Sequence, residues 1–307
     1  MPSQNTPRIV VLLATCNGAR WINAQIDSIL AQQGVAIRLV VRDDGSTDTT
    51  RSLLEGRATQ DARITLLPAS APSGSAAANF FALLAMLGNL GAPPDAVALA
   101  DQDDVWLPDK LRHAWVAIQT RGVAGVSASV WAWWPDGRKT LLTKSQPLQA
   151  ADHWFESAGP GCTYVLRGDV AMHLSDWVAA HREALRPIAF HDWWIYAWVR
   201  HHGGGWWIDP VPRMHYRQHG SNVLGARAGW RAKTMRLHML FNGWHRQQAL
   251  AIAQSCGAGD DPLIVRLQRY GWRDRWALTC QARSLRRKTS DALALACALC
   301  LGWRGTP

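Results

Sequence analysis

Three carboxylates within four residues are the first feature of the sequence that could do chemistry. The stretch ALADQDDVWLPDK, residues 98–110, runs from small apolar residues into Asp101, Asp103 and Asp104. Like charges this close repel each other, so the cluster requires a compensating partner. Mg²⁺ and Mn²⁺ prefer oxygen ligands and are commonly shared with substrate phosphates. We therefore expect Asp101 and Asp103 to hold a divalent metal ion together with a bound diphosphate.

The alternative interpretation of this cluster is structural, because Asp residues also form turns and cap helices. Asp104 or Asp109 could cap a helix predicted over residues 108–118, with Pro108 in its first turn. One cap needs one carboxylate rather than three, so Asp101 and Asp103 remain the metal candidates.

A second acidic stretch, RDDGSTD over residues 42–48, allows two interpretations. It could form a turn in which Ser46 or Thr47 caps the next helix. Alternatively, Asp43 or Asp44 could accept hydrogen bonds from a nucleotide base or ribose. The stretch TCNGAR, residues 15–20, matches neither glycine-rich phosphate motif, so nucleotide binding through the metal is favoured over a glycine cradle.

The elements that must position these residues alternate between strands and helices. Apolar runs predict strands over residues 8–15, 37–44, 62–69, 95–104 and 126–134, with helices between them, including 49–58 and 78–87. Such alternation predicts an α/β, Rossmann-like, mostly parallel sheet flanked by helices. Beyond residue 135 we expect extended segments over 161–166 and 206–212, helices from 169 and over 190–202, and helical structure from about 228.

Ligands of open parallel sheets bind beyond the carboxyl ends of the strands. This rule places the polar residues that follow strands one, two and four in one crevice. The crevice is expected to contain Thr15, Asn17, Asp43, Asp44, Asp101, Asp103 and Asp104.

Taken in order, the stretches resemble the family 2 glycosyltransferases, which have the GT-A fold, and within them the bacterial rhamnosyltransferases of O-antigen and polysaccharide synthesis. The resemblance covers about residues 8–226 and is carried by VVLLATCNGARWINAQIDSILAQ, VVRDDGSTDTT, ALADQDDVWLPDKL, GPGCTYVLRGD, HDWWIYAWV and YRQHGSNVLG. It implies a hexosyltransferase that inverts the anomeric centre and depends on a divalent metal. The implied donor is a nucleotide sugar, preferably dTDP-rhamnose, and the implied acceptor is a saccharide or a lipid-linked saccharide in cell-surface polysaccharide synthesis.

The resemblance also implies roles for residues on the donor side. The nucleotide-binding set is Thr15, Asn17, Asp43, Asp44 and Asp101, and the metal-binding set is Asp101, Asp103 and His219. His219 could instead be a structural or exposed residue. Cys16 stands where relatives usually have Tyr, which weakens any expectation of base stacking there.

On the acceptor side, the resemblance places the general base at Asp192, in HDWW. Many relatives have Glu-Asp here, so His191 departs from the common form. Gly161 and Cys162 align with a strand that lines the acceptor site, and Trp193 and Trp194 could stack on the acceptor sugar. The alternatives are that Asp192 caps helix 193–202 and that the two Trp side chains pack in the core.

Charge is distributed unevenly along the 307 residues, whose net charge is +10. Residues 1–225 hold 19 Lys/Arg and 19 Asp/Glu, whereas residues 226–307 hold 14 and 4. We expect a GT-A domain over 1–226 and a basic helical region over 227–307 that carries Trp230, Trp244, Trp272, Trp276 and Trp303. Positive charge interleaved with Trp suits an anionic membrane surface, although a solvated cap with a protein interface is the alternative. The neutral first 225 residues argue against a nucleic-acid partner.

Cysteine usage and the termini bear on where the protein works. The six Cys residues are expected to be free thiols in a reducing compartment, and MPSQNTPR has no apolar signal core. ALALACALCLGW, residues 292–303, is too short to span a bilayer. We expect a cytoplasmic protein, or one peripheral at the inner face of the cell membrane. Two other functions are conceivable: a non-catalytic scaffold at a membrane surface with a transferase-like domain, and a metal-dependent phosphohydrolase of nucleotide sugars.

Overall fold

A seven-stranded sheet lies at the centre of the protein in the computed structural model, which describes residues 6–219 and 242–302. Its strands are β1 Arg8–Thr15, β2 Ala36–Asp43, β3 Ile64–Leu66, β4 Ala96–Asp101, β6 Gly125–Ala128, β9 Val165–Arg167 and β10 Trp206–Asp209. Their order across the sheet is β10-β6-β9-β4-β1-β2-β3. Strands β3, β2, β1 and β4 are mutually parallel, and β6 is parallel to β10, while β9 runs antiparallel to both β4 and β6. The expected mostly parallel sheet is confirmed.

Helices cover both faces of this sheet. In its first two thirds the chain forms α1 Ile22–Leu30, α2 Thr50–Gln60, α3 Ala76–Ala85, α4 Lys110–Arg121, α5 Gly168–Ala180, α6 Arg182–Leu185 and α7 His191–His201. Strand β1 shows why two cores form: Val10 and Leu12 face one apolar cluster, and Ile9, Val11 and Leu13 face the other. The alternation follows from the two-residue period of a strand, and it explains why the strand is apolar throughout.

A second sheet of four strands lies beside the first. It consists of β5 Val105–Trp106, β7 Val130–Trp133, β8 Lys139–Leu142 and β11 Met214–Arg217, in the order β5-β11-β7-β8. The single strand predicted over 126–134 is therefore wrong, because β6 belongs to the large sheet and β7 to the small one. Between them, the Ser129 N–H donates to the Asp209 carbonyl (2.9 Å), and the Ser129 hydroxyl accepts from the Lys144 N–H (3.1 Å).

Four other predicted strands are shorter in the structure, including 95–104, which is Ala96–Asp101, and 206–212, which is Trp206–Asp209. Residues 161–163 form a turn of 3₁₀ helix, so of the extended segment predicted over 161–166 only its end pairs in the sheet, as β9. The strand predicted over 62–69 is reduced to the three residues of β3. The placement of Gly161 and Cys162 on a strand is thereby corrected to a buried turn.

The C-terminal region contains α8 Trp244–Ser255, α9 Pro262–Arg269, α10 Trp272–Cys280, α11 Ala282–Leu285 and α12 Thr289–Leu301. Apolar residues of these helices, among them Ile252 and Leu295, belong to the same cluster as Phe80 of α3. The predicted domain boundary at 226/227, and Trp230 and Trp303, lie outside the described residues. Within the part of the chain that is described, no helix has the length and apolarity needed to cross a membrane.

A buried ionic network joins these helices to residues 152–158, which we call the docking segment. The Arg287 guanidinium contacts the Asp152 carboxylate (3.2 Å) and donates to the Ser157 carbonyl (2.6 Å). Its backbone N–H donates to the Glu156 carboxylate (2.6 Å), and the Tyr196 hydroxyl donates to Asp152 (2.9 Å). Because Asp152 is fully buried, its charge depends on these partners.

Candidate active site

The carboxyl end of β4 carries the acidic cluster. Oxygens of Asp101 and Asp104 and the sulfur of Cys162 all lie within 4.8 Å of one another. Burial, together with the charges of Asp103 and Asp192, raises the pKa of Asp101 to about 7. Burial and the neighbouring carboxylates also raise the pKa of Asp104 well above its usual range. The raised pKa values mean that the surroundings do not compensate the negative charge that the fully ionised cluster would carry.

The residues of this cluster fit a divalent cation. One carboxylate oxygen of Asp104, Oδ2, is buried and has no hydrogen-bond partner, as expected of an oxygen that coordinates a metal ion. The carboxylates of Asp101 and Asp104 are hard ligands suited to Mg²⁺ or Mn²⁺, whereas the Cys162 sulfur is a softer one. Behind them, the Lys110 ammonium is buried over the Trp106 ring, and burial lowers its pKa to about 7. Such a lysine is only about half protonated at neutral pH.

Asp103 lies apart from this three-residue group. Its carboxylate contacts Nε2 of His219, whose ring stacks on Trp21 at a centroid distance of 4.1 Å. The Arg217 side chain donates to the Asp103 carbonyl (2.8 Å), and its backbone N–H donates to the Asp104 carboxylate (3.1 Å). The structure thus brings His219 to Asp103 and brings Asp104 to Asp101. It also removes the capping alternative for Asp104, since the residue preceding α4 is Asp109, which makes no capping bond.

Gln102, which the sequence analysis did not single out, links the acidic cluster to the loop after β1. Its side-chain oxygen accepts from the Thr15 hydroxyl (2.6 Å) and from the Cys16 N–H (2.8 Å), and its amide donates to the Cys16 carbonyl (3.0 Å). Three bonds to one loop hold Thr15 beside the cluster. The only signal in the sequence was its position between Asp101 and Asp103.

Asn17 joins the loops that follow β1 and β2. Its backbone is left-handed, with φ of 52°, a conformation that Asn tolerates better than most residues. Its side-chain oxygen accepts from the N–H groups of Thr47 (2.8 Å) and Asp48 (3.3 Å). The predicted nucleotide residues of the two loops therefore do lie at one edge of the sheet.

Asp43 and Asp44 are both buried, and each has partners within the protein. Asp43 accepts from the hydroxyl and the N–H of Ser46, as the turn interpretation expects. Asp44 pairs with Arg42 (2.6 Å) and accepts from the N–H and hydroxyl of Ser73 (both 2.7 Å). These bonds hold the pKa of Asp44 below its usual range, despite burial. The proposed capping by Ser46 or Thr47 is wrong, because α2 begins at Thr50 after Thr49.

Asp192 lies in the first turn of α7, facing the acidic cluster. The helix begins at His191 after Phe190, so Asp192 is not its N-cap. Burial raises the pKa of Asp192 to about 6, opposed by the Trp193 N–H, the Lys144 charge and the Ser157 hydroxyl. Because the charge of Asp192 in turn raises the pKa of Asp101, the two carboxylates lie close enough to interact. Lys144 and Ser157 are neighbours that the sequence analysis did not identify.

Gly161 makes room for the start of α7. A Cβ atom on it would lie 2.5 Å from Nε2 of His191 and 3.2 Å from Cβ of Asp192. His191 stacks on Phe80 at a centroid distance of 3.9 Å, and burial lowers its pKa to about 3, so it is neutral. Gly161 and His191 thus fix the position of Asp192 and do not themselves carry charge.

Replacing Gly161 with Ala is expected to lower the rate of the reaction about a hundredfold, because α7 must shift and displacements near 1 Å cost that much. The rate and the melting temperature would be measured together. Gly56→Ala is the control, since a Cβ atom there meets nothing within 4 Å. An unchanged rate in Gly161→Ala would show that the position of Asp192 does not matter.

The two Trp residues that follow Asp192 lie in the core. Trp193 and Trp194 are 5% and 0% exposed, and their indole N–H groups donate to the His153 carbonyl (3.0 Å) and the Ser255 hydroxyl (2.9 Å). Neither ring presents a free face for stacking on a sugar. The packing alternative holds for both, and Cys162, also 0% exposed, contacts the acidic cluster instead of an open acceptor surface.

Known proteins resemble this chain in sequence. The family model described as Glycosyl transferase family 2 matches residues 10–186. The dTDP-rhamnosyl transferase RfbG of Shigella flexneri is 34% identical over 284 residues, which cover 92% of this chain and 96% of that protein. The uncharacterized glycosyltransferase alr2836 of Nostoc sp. is 35% identical over 121 residues, which cover 39% of this chain and 35% of that protein.

Two solved structures resemble it in fold. S. aureus TarS 1–349 in complex with UDP-GlcNAc superposes with a TM-score of 0.52 at 13% identity, covering 96% of this chain and 88% of that one. The mannosyltransferase PcManGT from Pyrobaculum calidifontis, in complex with GDP-Man and Mn²⁺, gives a TM-score of 0.51 at 16% identity, covering 96% and 86%. At these identities the likeness concerns the fold, and it agrees with the expected GT-A type architecture.

Proposed function

Since the chain belongs to glycosyl transferase family 2, we propose that it transfers rhamnose from dTDP-rhamnose to a saccharide or lipid-linked saccharide in cell-surface polysaccharide synthesis. The observation that carries the choice of donor is the identity of 34% to a dTDP-rhamnosyl transferase over nearly the full length of both chains. We also propose an anionic membrane surface as a partner of the C-terminal region.

Asp192 is proposed as the general base. With a pKa of about 6 it is ionised at neutral pH and can accept the proton of an acceptor hydroxyl. A single base, with attack from the face opposite the leaving group, inverts the anomeric centre. Lys144 and Ser157 lower the pKa of Asp192 and so keep it ionised.

Asp101 is proposed as a ligand of a divalent metal ion. The site is completed either by Asp103 and His219 or by Asp104. Such an ion supplies positive charge against the diphosphate that leaves. Thr15, Asn17, Asp43 and Asp44 are proposed to position the nucleoside at the adjacent edge of the sheet. Asp43 and Asp44 are buried and hydrogen-bonded within the protein, so we propose that they act by holding the loop in place. Asp44 also orients Arg42 and Ser73.

A binding panel tests the donor and the metal together. We expect dTDP-rhamnose to bind in the presence of Mg²⁺ or Mn²⁺, more tightly than UDP- and GDP-sugars, and to lose at least about tenfold in affinity in Asp101→Asn. Asp103→Ala and Asp104→Asn separate the two possible ligand sets, because only the variant that removes a ligand weakens metal-dependent binding. Asp136→Asn, an exposed acid of the β7–β8 turn, is the matched control.

The same preparation distinguishes transfer from hydrolysis. We expect dTDP release to require an acceptor saccharide, with the sugar recovered on the acceptor in inverted configuration. Release of dTMP and rhamnose 1-phosphate without any acceptor would favour the phosphohydrolase, and the absence of metal-dependent nucleotide binding would favour the scaffold.

A further inference from the structure

Exposed apolar side chains are concentrated on two neighbouring C-terminal helices. Seven large apolar residues are exposed in the parts of the chain that the structure describes, and four of them lie on α10 and α12. These four are Trp272 and Leu301, each 73% exposed, Trp276, 64% exposed, and Leu293, 62% exposed. The other three, Val116, Leu141 and Val211, are scattered over the remaining surface. Contiguous exposed apolar surface marks an interaction site, whereas single residues do not.

Helix α12 is apolar on two opposite sides. Ala292, Leu295, Ala298 and Leu299 are buried against the protein. On the other side, Leu293, Cys297, Cys300 and Leu301 recur at helical spacing, and all are exposed. A helix that is apolar on all sides is normally buried on all sides. None of the described residues of the chain covers this second side of α12, so we expect a binding partner to cover it.

Helix α10 packs beside α12. Trp272, Trp276 and Cys280 are four residues apart and are all exposed, so they form a second stripe. The Arg275 guanidinium holds the two helices together, because its Nε donates to the Leu299 carbonyl (3.1 Å) and its Nη2 to the Cys300 carbonyl. We call the two stripes together, residues Trp272, Trp276, Cys280, Leu293, Cys297, Cys300 and Leu301, the apolar face.

Cations border the apolar face at both ends. Arg283 donates to the Thr289 hydroxyl (2.6 Å), one turn before Leu293, and Arg275 lies at the opposite end of α12. Arg273 lies over the Trp272 ring, 5.1 Å from its centroid. Residues 242–302 hold nine Lys/Arg and four Asp/Glu, and of these acids Asp274 is paired with Arg269 and Asp261 caps α9. The fringe of the face therefore carries Arg273, Arg275 and Arg283 together with Asp291 in the first turn of α12, so its net charge is positive.

We propose that the apolar face binds the surface of an anionic lipid bilayer, with Trp272, Trp276, Leu293 and Leu301 entering the head-group region and the arginines contacting lipid phosphates. Trp prefers this depth, and basic residues add attraction to anionic lipid. A second copy of the chain fits the face less well, because a symmetric contact would bring the two basic fringes together. The inference rests on the proposed function only in the choice of a membrane partner, and it requires no step of sugar transfer.

Sedimentation with vesicles tests the proposal. We expect the full chain to sediment with vesicles that contain a third phosphatidylglycerol in phosphatidylcholine, and to bind pure phosphatidylcholine weakly. Trp272→Ser combined with Trp276→Ser should lower the partition coefficient at least tenfold, whereas Val116→Ser combined with Leu141→Ser should leave it unchanged. Arg273→Gln combined with Arg283→Gln should weaken binding to the anionic vesicles alone, and high salt should reproduce that loss.

Three results would overturn the proposal. The first is that the unaltered protein fails to bind anionic vesicles, and the second is that the Trp double variant binds them as tightly as the unaltered protein, with an unchanged melting temperature. The third is that the unaltered protein is a dimer in ultracentrifugation and the Trp double variant is a monomer. Sugar transfer to a water-soluble acceptor is measured on the same variants. Loss of vesicle binding with normal transfer leaves the proposed sugar transfer intact, and vesicle binding without transfer by the unaltered protein contradicts only the proposed sugar transfer.

Discussion

Asp192→Asn is expected to lower the rate of sugar transfer about a thousandfold, within the range that removal of a general base produces. The amide occupies the same space but cannot accept the acceptor proton. Donor affinity should change less than threefold, because Asp192 belongs to α7 and not to the loops that bear the nucleoside residues. Single-turnover rates and donor titrations, measured side by side, check both parts.

The pH dependence of the unaltered enzyme follows from the same residue. Because only ionised Asp192 accepts a proton, and its pKa is about 6, the rate should rise with pH and level off above that value. The Ser157 hydroxyl lowers this pKa. In Ser157→Ala, which lacks that hydroxyl, the rise in rate should therefore occur at higher pH. A rise at the same pH in both proteins would contradict the assignment.

Stability separates this loss of rate from unfolding. The pKa of Asp192 is raised in the folded state above the usual value of 3.8, so the folded state binds the extra proton between about pH 4 and 6. The ionised carboxylate therefore costs stability above pH 6, and Asp192→Asn should melt no lower than the unaltered protein at neutral pH. Asp169→Asn, in the first turn of α5 and paired with Arg167, is the matched control that should keep full activity.

Arg287→Met is expected to reduce the free energy of unfolding by about 3–5 kcal/mol, the usual cost of breaking a buried ion pair from one side. The change removes the nearest cation of the fully buried Asp152 and of its neighbour Glu156, and leaves the more distant Arg200 (3.4 Å) and Arg286 (3.9 Å) beside them. It also removes the hydrogen bond to the Ser157 carbonyl in the docking segment. Urea unfolding followed by tryptophan fluorescence measures the loss.

Arg186→Met provides the comparison for this substitution. Arg186 pairs with Glu183 on the surface, where both side chains are more than three-quarters exposed, and such pairs contribute at most about 1 kcal/mol. Equal losses in the two variants would show that the docking segment is not held by its ion pairs. A polypeptide of residues 1–226, proposed from the sequence as a domain, should fail to fold alone, because Trp193 and Trp194 of α7 would lose their contacts with His245 and Ser255 of α8.

Local patterns predicted much of the fold, and the physical reason is visible in β1. Its apolar run matches Arg8–Thr15 to the residue, because a strand covered on both faces must be apolar throughout. The division of residues 126–134 between two sheets was not predictable, since the chain turns at Ser129 through bonds to Asp209 and Lys144. Those partners are separated from Ser129 in sequence and leave no periodic trace in it.

The candidate site follows the same rule. The crevice residues could be predicted, because parallel strands end at one edge of a sheet. The approach of Cys162 to Asp101 and Asp104 could not, since it depends on the turn that precedes the antiparallel strand β9. Likewise, the burial of Trp194 depends on its bond to Ser255 in the distant α8. The position of a residue was predictable where it follows from its own strand and loop. It was not predictable where it depends on a contact with a residue distant in sequence.

The pairing of Asp152 with Arg287 has a consequence for how the protein is made. The two residues are separated by 135 positions, so the ribosome adds the partner roughly ten seconds after Asp152 at ordinary rates of synthesis. During that interval Asp152 has Arg200 but not Arg287 as a cation, and the apolar cluster beside it lacks the C-terminal helices that complete it. The docking segment can therefore reach its final structure only after residue 287 has been added, and until then the apolar surface of the unfinished polypeptide is exposed to aggregation and to chaperones.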